Sequence, residues 1–192
     1  MNKQEERETL FVNLFAGPCS GKSTLAAGLF WLLKTHGVKV ELILEYAKDR
    51  VWLNDLDTLE FQPYVSAKQA FRVYMVDKKV DIAISDSPLP LGLLYGKYPN
   101  SFKPYLLDLF KNYHNLNIIL DRLKDFDPDG RIQSEEEAIQ KDKEIYEILN
   151  NNDIPFIFFK PRHKYGYNDL TDLLSIIKKE YKEQFKVNLE EV

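Results

Sequence analysis

The stretch Gly17-Pro18-Cys19-Ser20-Gly21-Lys22-Ser23-Thr24 lies between an apolar run at 10–15 and an amphipathic helical pattern. Strand, loop of small residues ending in Gly-Lys-Ser, then helix: this is the setting of a Walker A phosphate loop. The chemistry is local. Backbone N–H groups of such a loop curl around phosphate oxygens, and the helix N-terminus adds positive dipole. Lys22 is placed to reach the β- and γ-phosphates, and the Ser23 hydroxyl to bind Mg²⁺. The strict pattern begins with Gly, and here Ala16 holds that place. A nucleoside triphosphate is the expected ligand.

Further candidates fall at strand ends, where open α/β sheets bind ligands. Asp86 closes the apolar run 80–85 and reads as a Walker B aspartate holding Mg²⁺, against the alternative of a cap on the next turn. Glu45 ends a second apolar run. It can accept a proton from an attacking hydroxyl, or it is a strand-end acid paired with Lys48. Arg122 and Arg131 bracket a polar excursion that also carries Lys124, with Gly130 as a hinge. A lid at about 122–133 bearing these arginines supplies positive charge over a transferring phosphoryl group; the alternative is a solvated loop. Asp142 falls on the otherwise apolar Ala138, Ile145 and Leu149 face of a helix. A buried aspartate wants a partner, which Arg122 or Arg131 can supply, unless that face is wet.

Tyr46, Asp49, Gln69 and Arg72 are candidate substrate contacts. A Gln amide can read a base edge, although capping also explains Gln69. Tyr46, Trp52, Phe61 and Tyr64 either wall a base pocket or belong to the core. His36, His114 and His163 show no metal-ligand spacing; His163 and Tyr165 are placed to border an adenine.

These residues need a frame. Helical spacing of Leu25, Leu29, Leu32 and Leu33 predicts a helix over 22–36, and 38–44 reads as a buried strand. Residues 55–64 are irregular. Ser66 and Gln69 form a capping-box pattern, followed by a buried stripe of Ala67, Ala70, Phe71, Tyr74 and Met75. The third strand spans 80–85, and 88–99 is a loop rich in Pro and Gly. A helix from Ser101 to 113, a strand at 117–120, and a helix capped by Ser134 and Glu137 follow. A fifth strand spans 155–159. A last helix begins at Asn168 or Asp169, with Leu170, Leu173, Leu174, Ile177 and Tyr181 inward and a fraying tail from Glu183. Alternating strands and helices predict an α/β fold, a parallel sheet with helices on both faces.

At 192 residues one domain over 1–192 is expected. No apolar run has the length of a membrane span, residues 1–8 are too charged for a signal peptide, and the single Cys19 permits no internal disulfide. A cytoplasmic protein is expected. The net charge of −4 argues against a general nucleic-acid coat.

Ala16 to Ser23, Glu45-Tyr46-Ala47-Lys48-Asp49, Ser85-Asp86-Ser87-Pro88-Leu89 and Gly130-Arg131-Ile132-Gln133 before an acidic helix together resemble small phage-encoded P-loop kinases. These belong to the thymidylate-kinase-like group, and the chain is similar to the hydroxymethyluracil DNA kinases within it. The resemblance implies a three-layer P-loop fold with five strands in the order 2-3-1-4-5 and a closing lid. It implies ATP and Mg²⁺, with Lys22, Ser23 and Asp86 serving nucleotide and metal and Arg122 and Arg131 the lid. It leaves the acceptor open: hydroxymethyl-deoxyuridine in phage DNA, a free nucleoside or nucleotide, or nicotinamide riboside. A homodimer is compatible with it, as is the cytoplasm of an infected bacterium. A reading of another class is a regulatory P-loop ATPase or nucleotide switch, with water as acceptor.

Overall fold

Five short apolar runs form strands: β1 (Leu10–Phe15), β2 (Val40–Ile43), β3 (Ile82–Ser85), β4 (His114–Leu120) and β5 (Ile157–Phe159). They make one sheet in the order β2-β3-β1-β4-β5, and every pair is parallel. The expected strand order is therefore the observed one. The computed structural model describes residues 8–122, 134–162 and 166–189. Lys124, Gly130, Arg131, His163 and Tyr165 lie outside them, and so does most of the expected lid.

Alternation along β1 divides the core. Leu10, Val12 and Leu14 pack with Leu25, Leu29 and Leu33 of α1 (Lys22–Thr35) and Leu173 and Ile177 of α7 (Tyr167–Phe185). On the other face, Phe11 packs with Val73 of α4 (Gln62–Val76). Phe15 packs there with Leu106 and Phe110 of α5 (Phe102–Lys111) and Ile145 and Leu149 of α6 (Glu135–Asn150). Two short helices, α2 (Tyr46–Trp52) and α3 (Leu56–Glu60), follow β2, and a 3-10 helix (Leu89–Leu94) follows β3. No described helix is long and apolar enough to cross a membrane.

One residue of β1 breaks the apolar pattern. Asn13, 3% exposed, donates from Nδ2 to Asn115 Oδ1 at 2.8 Å and Asn117 Oδ1 at 3.0 Å. Asn117 passes the bond on to Pro155 O, and Asn115 donates to Phe110 O and Tyr113 O. This polar stitch ties β1 to β4 directly beneath the phosphate loop.

The structure corrects several local expectations. The helix expected to begin at Ser66 starts at Gln62, with Pro63 in its first turn, where a fixed φ and missing N–H are tolerated. Ser66 and Gln69 are therefore buried interior positions, not caps, and Val65 and Val73 accompany them. Of the expected stripe, Ala70 packs against the core, but the large side chains face out: Phe71 is 56% exposed, Tyr74 68% and Met75 43%. Trp52, Phe61 and Tyr64 are exposed too, so none is core. Residues 46–60 hold two helices, and the loop at 88–99 contains the 3-10 helix. Past the end of α7, Leu189 is buried against the core, which anchors the tail expected to fray. The Ser134–Glu137 capping box and the α7 stripe are present as expected.

Replacing Asn13 with Leu would leave the Asn115 and Asn117 side-chain oxygens facing an apolar group. Urea denaturation of Asn13→Leu should show a loss of about 1–3 kcal/mol; an unchanged midpoint would mean the stitch contributes nothing.

Candidate functional site

The phosphate loop leaves β1 at Ala16 and enters α1 through Gly21. Cys19 (φ +61°) and Gly21 (φ +88°) both adopt the left-handed region, the kind of alternation that builds anion-binding nests. Loop carbonyls need donors of their own. Lys22 Nζ donates to Ala16 O at 2.6 Å and Gly17 O at 2.9 Å, and Ser20 Oγ donates to Gly17 O at 2.9 Å. Pro18 O accepts from Arg122 Nη1 at 2.7 Å.

The second strand-end contribution is direct. Ser23 Oγ donates to Asp86 Oδ2 at 2.7 Å. Asp86 is 4% exposed, and its Oδ1 is buried without a hydrogen-bond partner among the described residues. An orphaned carboxylate oxygen beside a loop hydroxyl fits a Mg²⁺ ion, which binds through one or two carboxylates plus substrate phosphates.

Arg122, at the C-terminal end of β4, does not swing free. Its Nε and Nη2 donate to Asp142 Oδ2 at 3.2 and 2.9 Å, and its side chain is 14% exposed. The Arg122–Asp142 pair weighed from the sequence is thus present. Arg131, outside the described residues, does not enter this geometry.

The four substrate-side candidates meet at the end of β2. Gln69 Oε1 accepts the Tyr46 N–H at 3.0 Å. Arg72 donates to Asp49 Oδ2 at 2.6 Å and Leu44 O at 2.7 Å. The Arg50 and Arg72 guanidinium groups lie 5.2 and 5.5 Å from the Tyr46 ring centroid, within cation–π range. Gln69 is 5% exposed, and its Nε2 is a buried donor without a partner among the described residues. Glu45 occupies the N-cap position of α2.

Tyr95 was not singled out from the sequence. It sits just past the 3-10 helix, in a segment whose Pro and Gly hide any periodicity. Lys141 Nζ lies 5.3 Å from its ring centroid and donates to Leu94 O at 3.0 Å. Burial, helped by the Glu45, Glu144 and Asp142 carboxylates, pushes the Tyr95 hydroxyl up to about 12. The shift favours the neutral folded form, so its stabilising effect is complete below the ordinary value of 10.0 and is lost as pH rises toward about 12. In a tyrosinate absorbance titration, the difference between wild type and Tyr95→Phe should show ionisation near 12; ionisation at the ordinary value would contradict this environment.

The AAA domain family matches residues 11–164 of the chain. No curated protein sequence matches. Among solved structures, thymidylate kinase from Ehrlichia chaffeensis superposes with a TM-score of 0.58 at 18% identity, covering 90% of this chain and 98% of that one. Deoxyadenosine kinase from M. mycoides, with dCMP and dCDP bound, gives 0.52 at 16%, covering 89% and 99%. The YorR protein of Bacillus subtilis, in complex with phosphorylated GDP, gives 0.51 at 15%, covering 89% and 97%. At such identities the likeness establishes a shared fold. The sequence match runs from the second residue of β1 to beyond β5, spanning the whole sheet and the phosphate loop, and the chain belongs to the AAA domain family.

Proposed function

We propose that the protein is an ATP-dependent phosphotransferase that moves the γ-phosphoryl group to a hydroxyl of a nucleoside-like acceptor. The observation that carries this reading is Gln69. Its Nε2, buried and without a hydrogen-bond partner among the described residues, lies in a polar cluster at the end of β2, on the same sheet edge as the phosphate loop. An ATPase whose acceptor is water has no need of a buried donor there. The three structural relatives carry names or ligands of nucleoside and nucleotide chemistry, which supports the same reading.

The amide is one-sided. With Oε1 taken by the Tyr46 N–H, the Nε2 donor is what Gln69 has left for a ligand that enters this buried cluster. Facing position 4 of a pyrimidine, it would pair with an oxo group and oppose the amino group of cytosine, because a facing donor would leave both groups unpaired. Thymine-like and uracil-like bases satisfy this, including hydroxymethyl-deoxyuridine, free or in DNA.

In this mechanism the phosphate loop, Lys22 and the N-terminus of α1 hold the triphosphate. Ser23 and Asp86 would hold Mg²⁺, which offsets phosphate charge when bound. Glu45 takes the proton of the acceptor hydroxyl as its oxygen bonds to the γ-phosphorus and the bond to the β–γ bridging oxygen breaks, releasing ADP. Arg131 is assigned the positive charge over the transferring group.

Transfer of labelled γ-phosphate should be followed with thymidine, uridine, cytidine, nicotinamide riboside, and DNA with or without hydroxymethyluracil. Thymidine or uridine, free or in DNA, with an oxo group at position 4, should be labelled in preference to cytidine, with an amino group there, and Gln69→Leu should reduce that preference. Glu45→Gln should lower kcat by about 10²–10⁴-fold with the KM for ATP little changed. Label released only to water, at a rate no acceptor alters, would overturn the reading in favour of the regulatory ATPase that the AAA domain match also permits.

A further inference from the structure

Helix α6 reaches the phosphate loop more closely than phosphate binding requires. The Gly17 N–H donates to Asp142 Oδ1 at 2.5 Å. A Cβ at Gly17 would lie 2.5 Å from Ala138 O, 2.9 Å from Asp142 Oδ1 and 3.2 Å from Arg122 Nη2. Ala138 O belongs to the α6 backbone, so it cannot step aside as a side chain could. Gly17 is a glycine because α6 lies against it. Its φ is not in the left-handed region, so conformational freedom is not the reason.

One peptide further on, Arg122 completes the contact. It donates to Pro18 O at 2.7 Å while its other nitrogens engage Asp142 Oδ2. Asp142 takes the N–H of Gly17 and Arg122 the carbonyl of Pro18, and the two side chains bind one another. A lone carboxylate touching the loop would repel a bound triphosphate. Arg122 cancels that charge and leaves the hydrogen bond to Gly17 intact.

We propose that Asp142 and Arg122 are positioning residues that set the nucleotide-ready conformation of the phosphate loop from α6, so that ADP affinity depends on two side chains outside the Walker A motif. This rests on the phosphate-loop part of the reading above and is independent of the acceptor. Because the pair acts on the loop as one unit, loss of either member should cost nearly as much as loss of both.

The test measures ADP binding by calorimetry and, in nucleotide-free protein, the alkylation rate of Cys19, the sole cysteine, which sits inside the loop. Asp142→Ala and Arg122→Ala should each weaken ADP about tenfold or more and change the Cys19 rate, and the double variant should be far from additive. Asp142→Asn keeps an acceptor for the Gly17 N–H but gives up the charge that pairs Arg122, so it should fall between wild type and Asp142→Ala. If Asp142→Ala does not fold, Asp142→Asn and Arg122→Ala carry the test. Variants that bind ADP like the wild type with an unchanged Cys19 rate would overturn the proposal alone. A wild type that does not bind ADP would overturn the nucleotide reading itself.

Discussion

A phosphate loop has to satisfy its own carbonyls before its N–H groups can serve an anion. Each buried peptide oxygen needs a donor. Here the donors come from two directions: Lys22 and Ser20 from within the motif, and Arg122 from the end of β4. The loop is therefore shaped by more than its own sequence. Its register depends on β1 being locked beside β4, which the Asn13 contacts to Asn115 and Asn117 secure. It depends also on α6 lying close enough for Asp142 to meet Gly17.

The sheet order explains how distant residues converge. With β1 between β3 and β4, the residues following β1, β3 and β4 emerge side by side at one edge. That places Ser23 against Asp86 and Arg122 against Pro18. The end of β2 lies one strand further out and carries Glu45 and the Tyr46–Gln69 contact. Under the function proposed above, nucleotide-side and acceptor-side residues would thus follow neighbouring strands, β3 and β2. The charges of both Glu45 and Asp142 help to raise the Tyr95 hydroxyl.

How much could be read from the sequence depended on whether a signal was local. The phosphate loop, Asp86 at a strand end, the Ser134–Glu137 box and the α7 stripe are each fixed by residues close in sequence, and each is found where expected. The start of α4 was not legible. Ser66 and Gln69 imitate a capping box, yet both are buried inside a helix that begins at Gln62. The reason is tertiary: a Cβ at Gly92 would lie 2.4 Å from Ser66 Oγ, and Gln69 receives the Tyr46 N–H. Polar residues occupy that inner face, so the apolar spacing of Phe71, Tyr74 and Met75 marked the outer one. Tyr95 gave no sign because its environment is assembled from Glu45 and α6, both far away in the chain. Gly17 was legible as a motif glycine, but its contact with Ala138 O was not.

On the proposed reading, Lys22, Ser23 and Asp86 hold a magnesium nucleotide at the strand ends. The most direct test is the affinity for ADP measured with Mg²⁺ and with the metal chelated, in the wild type and in Asp86→Asn. Mg²⁺ should tighten ADP binding in the wild type, and most of this gain should disappear in Asp86→Asn while metal-free binding persists. Affinity indifferent to Mg²⁺ in the wild type, or a metal dependence that Asp86→Asn leaves intact, would contradict it.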